Sequence, residues 1–379
     1  VRGGAEEHIL TLVRGLDRTR FRAHLACTPE VERALRPDLP EDVELTPLRL
    51  RRPRHVGAAL ALARVLRNRQ IDVLHSHLFY ASLFASPVAW LCRVRAIVET
   101  PHVREHWRRG QLKGRFVVDR FVGRFVDRYI AVSEANARYL VVEKRLPARK
   151  ITVIHNGCDV ERFDPAHRPP PELRASLGIG PSDPVALVLG RLEPQKGHHV
   201  LLDAFSQIQR RWPGAHLVCV GEGVLRAELE SRVGSLGLTR TVHLVGYQRN
   251  VVDWLALADV TVLPSFYEGL PLAAIESLAA GRPVVATGVD GTPEVVLHGR
   301  TGLLVQPGDV TGLATAVCQL FANPDEGRRL GHAGRIHVTE HFDQRQQVRD
   351  TGDLYAAAVE GRGIASPLVP DGPTARSPR

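Results

Sequence analysis

Hydrophobic positions along this chain alternate between two textures. Short β-branched or leucine-rich runs are followed by longer stretches in which apolar side chains recur every three or four positions. The alternation persists through most of the length, and it predicts repeated βα units wound around parallel sheets. In the first half strands are expected at 22–27, 71–75, 95–99, 128–132 and 151–154, with helical patterns at 56–69 and 77–93. A break at 164–184 then gathers Pro165, Pro169, Pro170, Pro171, Pro181 and Pro184 around one short helix at 171–177. The rhythm restarts with strands at 185–189, 215–220, 241–245, 259–263, 283–287 and 302–305.

The pattern therefore divides into a first Rossmann-like domain, 1–165, a linker, 166–184, and a second Rossmann-like domain, 185–342. A helix at 343–360 is expected to pack back toward the first domain, and the proline-rich residues 361–379 read as a disordered tail. Two doubly wound α/β domains facing a cleft place ligands beyond the carboxyl ends of their strands. Length agrees, since 379 residues suit two domains of ordinary size. Composition excludes a fibrous or disordered class, with 44% hydrophobic and 24% charged residues. No apolar run approaches the roughly 18 residues of a membrane-spanning helix. Cys27, Cys92, Cys158, Cys219 and Cys318 are scattered and odd in number, so a reducing, cytoplasmic setting is expected.

Charge is unevenly placed. Residues 1–165 hold 30 Lys+Arg against 19 Asp+Glu; chain totals of 50 and 41 leave 20 against 22 for the rest. The basic half is suited to an acidic partner: a membrane surface, a phosphorylated substrate or nucleic acid. Arginine bias explains why only Lys113, Lys144, Lys150 and Lys196 are lysines, but not why acids are scarcer in the first half. Between Arg104 and Tyr129 basic residues interleave with aromatics. Val118, Val122, Phe125 and Tyr129 there have the spacing of an inward helical stripe, which favours core packing over an interfacial helix.

Candidate chemistry lies in the turns after strands. Strand 185–189 runs into Gly190-Arg191-Leu192-Glu193-Pro194-Gln195-Lys196-Gly197, which offers two cations and flexible backbone before a helix, a combination suited to a diphosphate. Lys196 is the only lysine after Lys150. Gly221-Glu222-Gly223 repeats the geometry one strand later. In Pro264-Ser265-Phe266-Tyr267-Glu268-Gly269-Leu270-Pro271, Glu268 sits in a turn and a helix is expected from Leu270 or Pro271, with Glu276 two turns along it. Eight helical residues span about 12 Å, too far for a glycosidase pair, so Glu268 and Glu276 read as ligand-binding groups. His75-Ser76-His77 and His198-His199 lack an acidic or cysteine partner in sequence, and no metal or other cofactor is expected.

Taken in order, Gly190-Arg191…Lys196-Gly197, Gly221-Glu222-Gly223, Pro264-Ser265…Glu268-Gly269-Leu270-Pro271…Glu276 and Gly291-Thr292-Pro293-Glu294 make the chain resemble glycosyltransferase family 4. This is a family of retaining GT-B enzymes with nucleotide-sugar donors. Gly3-Gly4-Ala5-Glu6, Thr100-Pro101-His102, Ala131-Val132-Ser133 and His155-Asn156-Gly157 extend the likeness over about residues 1–360. The resemblance implies that Arg191 and Lys196 bind the donor diphosphate, with Gly190 and Gly223 beside it. Glu268 contacts sugar hydroxyls near the amides of Gly269, Leu270 and Leu272, and Glu276 holds the ribose. Gly3 and Gly4 face the phosphates, and His102 sits beside the sugar. Asp290 stands where the family often has glycine.

The expected activity is transfer of a sugar from a nucleotide diphosphate to a glycan or lipid-linked acceptor. It would take place in the cytoplasm, with peripheral contact at the inner face of an anionic membrane. The alternatives are a nucleotide-sugar epimerase, for which further acid/base carboxylates are not identified, and an inactive sugar-nucleotide-binding module. Nucleic acid is not an expected partner, since no recognisable binding motif holds the basic residues. In the family a buried strand precedes the Gly-Gly turn, whereas here the chain opens Val1-Arg2-Gly3-Gly4. The first domain is therefore expected to lack its first strand.

Overall fold

The computed structural model describes residues 3–48, 56–105 and 116–361. Trp107, Arg108, Arg109, Lys113 and Arg115 of the basic stretch, and the tail from 362, lie outside the described residues. Contacts divide the chain into two compact units, Val1–Pro47 with His155–Asp350, and Leu48–Ile154 with Thr351–Arg379.

The first unit holds a short parallel pair, β1 (His24–Cys27) and β2 (Glu44–Pro47), in which His24 faces Glu44. Its larger sheet follows the second-half rhythm: β7 (Val185–Leu189), β8 (His216–Val220), β9 (Val242–Gly246), β10 (Val260–Leu263), β11 (Val284–Thr287) and β12 (Gly302–Val305). These strands are all parallel in the order β12-β11-β10-β7-β8-β9. Every residue of β7, β8, β10 and β11 is buried, as continuous apolar strands covered on both faces must be. Leu201, Phe205 and Ile208 of the helix His198–Arg211 join Val317 and Phe321 of the helix Val310–Ala322 in the core. The chain winds one way from β7 and the other from β10, so the gap between those two carboxyl ends is the topological switch point.

The second unit carries the parallel sheet β3 (Val73–His77), β4 (Ala96–Thr100), β5 (Arg128–Ala131) and β6 (Ile151–Val153), in that order. The helices Val56–Asn68 and Phe79–Leu91 lie in the same unit. The expected stripe through Val118, Val122, Phe125 and Tyr129 is corrected at its first position. Val122 and Tyr129 are buried, but Val118 is exposed. The helix runs only from Val117 to Val122 and closes at Gly123, so one helical period cannot carry all four side chains inward. The region 343–360 forms the helix Gln344–Val359. No described helix is long and apolar enough to cross a membrane.

Candidate active site

The turns at the switch point are locked together by backbone contacts that only glycine permits. At Gly221, φ is +149° and a Cβ would stand 1.9 Å from the Gly190 carbonyl oxygen. Gly197, with φ +66°, would place a Cβ 2.1 Å from the Pro264 oxygen. Side-chain-bearing residues cannot occupy such positions without moving a neighbouring strand end. The Gly190 amide donates to Val220 O at 3.0 Å, and Leu192 N donates to Glu222 O at 3.0 Å, tying the turn after β7 to that after β8. Toward β10, Phe266 N donates to Gln195 O at 2.8 Å and Gln195 Nε2 to Tyr267 O at 2.8 Å.

This framework presents an ion pair. Lys196 ends a 3-10 turn, Pro194–Lys196, and its Nζ donates to Glu268 Oε1 at 2.6 Å. Ser265 Oγ donates to the same oxygen at 2.7 Å, and the Glu268 amide donates to Asp290 Oδ2 at 2.9 Å. The Glu268 side chain is 7% exposed and that of Lys196 is 20% exposed. Asp290 adopts φ +43°, the left-handed region that glycine occupies most easily and that Asp tolerates. A side chain at the position where the family often has glycine thus gains a role, holding the Glu268 turn. No local pattern signals the Lys196–Glu268 contact, whose partners stand 72 residues apart, or the Glu268–Asp290 contact, whose partners stand 22 apart; Ser265, three residues before Glu268, reads in sequence only as part of the turn.

Arg191 is the more open cation, with its guanidinium 3.4 Å from Glu193. A Cβ on Gly3 would lie 3.4 Å from Arg191 Nε, and one on Gly4 would lie 3.6 Å from Leu272 Cδ1. Gly3 is the N-cap and Gly4 the first residue of a helix, Gly4–Gly15, rather than a turn, and this helix start, Arg191 and the start of the helix Leu272–Ala279 are neighbours. That helix begins later than expected: Pro271 is its N-cap, with φ −76° and ψ 102°, and no side chain caps it. Its extended ψ keeps Pro271 outside the first turn. Gly269 and Leu270 lie in the buried turn just before it, while Gly223 packs against the Leu192 backbone.

Glu276 does not share the Lys196–Glu268 cluster. It lines a cavity of about 500 Å³ with Glu7, Thr11, Arg14, Asn156, Arg162 and Gln347, among others. Burial pushes its carboxyl up to about 7; Arg162 opposes the shift and Glu7 adds to it. Near neutral pH this group can accept a hydrogen bond or, protonated, donate one. His102 belongs to the second unit, just beyond β4. It is buried, with Nε2 3.0 Å from His77 Nδ1 and the two rings stacked. His75 Nδ1 lies 2.5 Å from the Tyr355 hydroxyl and its Nε2 2.7 Å from Thr100 Oγ1. His199 Nε2 lies 3.1 Å from Glu228.

The family model of the glycosyl transferases group 1 matches residues 183–323, and that of glycosyltransferase family 4 matches residues 2–162. The chain is 32% identical over 328 residues to the glycogen synthase of Mycobacterium tuberculosis, covering 83% of this chain and 76% of that protein. It is 31% identical over 311 residues to the D-inositol 3-phosphate glycosyltransferase of Streptomyces scabiei, covering 76% and 68%. Anabaena HepE, solved with UDP-glucose, superposes with a TM-score of 0.82 at 20% identity, over 94% of this chain and 97% of that one. Sucrose-phosphate synthase of Thermosynechococcus elongatus gives 0.77 at 23% identity, over 95% and 94%. Fold and relatives together define a glycosyltransferase of the GT-B type. The chain belongs to glycosyltransferase family 4, the glycosyl transferases group 1.

Proposed function

We propose that this glycosyltransferase takes its sugar from a nucleotide diphosphate and passes it, with retention, to a glycan or lipid-linked acceptor. The observation that carries the reading is the buried Lys196–Glu268 pair at the switch point, with Arg191 open to solvent beside it. As the bond from C1 to the diphosphate oxygen breaks, negative charge grows on the departing nucleoside diphosphate. Lys196, Arg191 and the amides of the glycine turns meet that charge, and no metal is required in this scheme. The acceptor hydroxyl oxygen forms the new bond to C1 and its proton passes to the diphosphate oxygen released from C1, so that the products are the glycosylated acceptor and the nucleoside diphosphate. Glu268 takes the sugar hydroxyls, with Gly269, Leu270 and Leu272 beside it. Glu276 takes the ribose, Gly3 and Gly4 flank the phosphates, and His102 is assigned to the sugar side. HepE, a fold neighbour, holds UDP-glucose, which supports a nucleotide-sugar donor. The reaction is assigned to the cytoplasm, with peripheral contact at the inner face of the membrane.

Binding of UDP-, GDP- and ADP-sugars, each beside its free nucleoside diphosphate, tests the assignment. Glu268→Gln is expected to weaken the intact donor more than the free nucleotide, whereas Glu276→Gln weakens both alike. Identical losses for the two variants on both ligands contradict the division between sugar and ribose.

A further inference from the structure

The second unit carries an exposed aromatic ladder that the sugar chemistry does not use. Trp90 and Leu91, at the end of the helix Phe79–Leu91, are 56% and 67% exposed, and Val117 and Phe121 of the helix Val117–Val122 are 58% and 54% exposed. These are not scattered side chains. The Trp90 ring centroid lies 5.4 Å from that of Phe125, and Phe125 lies 5.6 Å from Phe121. The Arg124 guanidinium sits 5.9 Å from the Phe121 ring centroid. A third helix, Val56–Asn68, packs on Phe79–Leu91 and turns Val56, Leu60, Arg64 and Arg67 outward.

Charge on these three helices has one sign at the surface. Their cations are Arg64, Arg67 and Arg120, and their one acidic residue, Asp119, is buried 2.8 Å from Lys144 Nζ. Arg93 and Arg124 extend the basic border, while Arg95 pairs with Asp72. A second copy of this chain would press like charges together. Exposed aromatics bordered by arginine instead match the boundary of an anionic bilayer, where rings enter the headgroup region and guanidinium groups meet lipid phosphates. We propose that the Trp90–Phe125–Phe121 ladder and its arginines form a docking surface for anionic lipid. The inference does not depend on the donor assignment.

The full chain, sedimented with vesicles of phosphatidylcholine alone or mixed with phosphatidylglycerol, provides the test. Binding at least about tenfold stronger to the mixed vesicles is expected, as several arginines near the surface imply. High salt weakens it without abolishing it, because the rings still leave water. Trp90→Ser with Phe121→Ser is expected to cut binding at least about tenfold, while Trp90→Phe with Phe121→Tyr retains most of it. Arg120→Gln with Arg124→Gln reduces the preference for phosphatidylglycerol. Melting temperature and donor binding, followed in every variant, establish that the chain remains folded. The proposal is overturned by absence of vesicle binding, by undiminished binding of the Ser variant, or by complete loss in high salt. It is also overturned by a dimer of the free protein that the Ser variant dissolves.

Discussion

Replacing Lys196 separates the structural work of the ion pair from its catalytic work. Lys196→Met leaves the Glu268 carboxylate 7% exposed with Ser265 Oγ–H as its remaining side-chain donor. Breaking a fully buried pair from one side costs about 3–5 kcal/mol. Here the lysine side chain is 20% exposed and Ser265 stays in place, so about 2–3 kcal/mol is expected. Glu268→Gln alone strands a partly exposed ammonium and costs less. The double variant Lys196→Met with Glu268→Gln removes both charges and falls within about 1 kcal/mol of the parent. With Glu268→Gln at about 1 kcal/mol, the coupling obtained from the four proteins is then about 2–3 kcal/mol. Urea unfolding of each provides the stabilities, and turnover of the donor found by screening provides the activities. The double variant is expected to regain stability but not turnover, since under the proposed chemistry both groups face the donor. Additive losses in stability, or a Lys196→Met protein as stable as the parent, would refute the pair as a structural unit.

Two further outcomes follow from burial and backbone geometry. Burial holds His8, His198 and His243 down to about 4, with His216 adding to the effect at His243. The unfolded histidines bind protons first, so this part of the stability is full above about pH 6.5 and is lost as pH falls toward 4. Glu99 and Glu276, raised to about 7 by burial, act oppositely between their ordinary range and 7, which leaves the histidines to dominate the acid side. His198→Leu, at a side chain whose ring nitrogens have no hydrogen-bond partner among the described residues, is expected to flatten the decline between pH 6.5 and 4 in urea melts. An unchanged slope counts against this origin. Gly221→Ala is expected to cost ~3 kcal/mol or more and to abolish donor binding, because its Cβ would meet the Gly190 oxygen at 1.9 Å. Gly234→Ala, with nothing within 4 Å and a helical setting, should be neutral or stabilising; equal melting of the two variants contradicts the close-approach argument.

The legible parts of the sequence were those in which one local signal decided the outcome. Strands β7 and β12 lie where the pattern placed them, and the other large-sheet strands begin one residue late; at β7, β8, β10 and β11 the signal is clear because a strand buried on both faces writes itself as a mostly apolar run. Glu44-Leu45-Thr46-Pro47 is no such run, and β2 went unexpected although it pairs fully with β1. Val118 misled for the opposite reason. Its spacing was helical, but the helix ended at Gly123 before the period could be used. In the site, the glycine turns could be found from their places after strands. The partner of Lys196 could not, since an ion pair between two loops depends on strand order, and nothing local encodes that β7 lies beside β10.

That strand order also bears on how the proposed donor site divides binding from catalysis. Lys196 is not an idle cation awaiting a phosphate, for it is already held by a carboxylate at 2.6 Å. A donor diphosphate must therefore compete with Glu268 for the ammonium, while the sugar hydroxyls offer Glu268 new donors. Ground-state binding gains only the difference between two anionic partners, one of them in place before the donor arrives. The difference grows as the sugar–phosphate bond breaks, because charge accumulates on the diphosphate and not on Glu268. An interaction that strengthens toward the transition state raises turnover more than affinity. Arg191, with its side chain 46% exposed and its contact to Glu193 at 3.4 Å, has less to give up. On this reasoning Arg191 contributes mainly to holding the donor and Lys196 mainly to its cleavage. In the proposed chemistry the two cations of one turn would divide the work because one faces a buried carboxylate across the switch point and the other faces water.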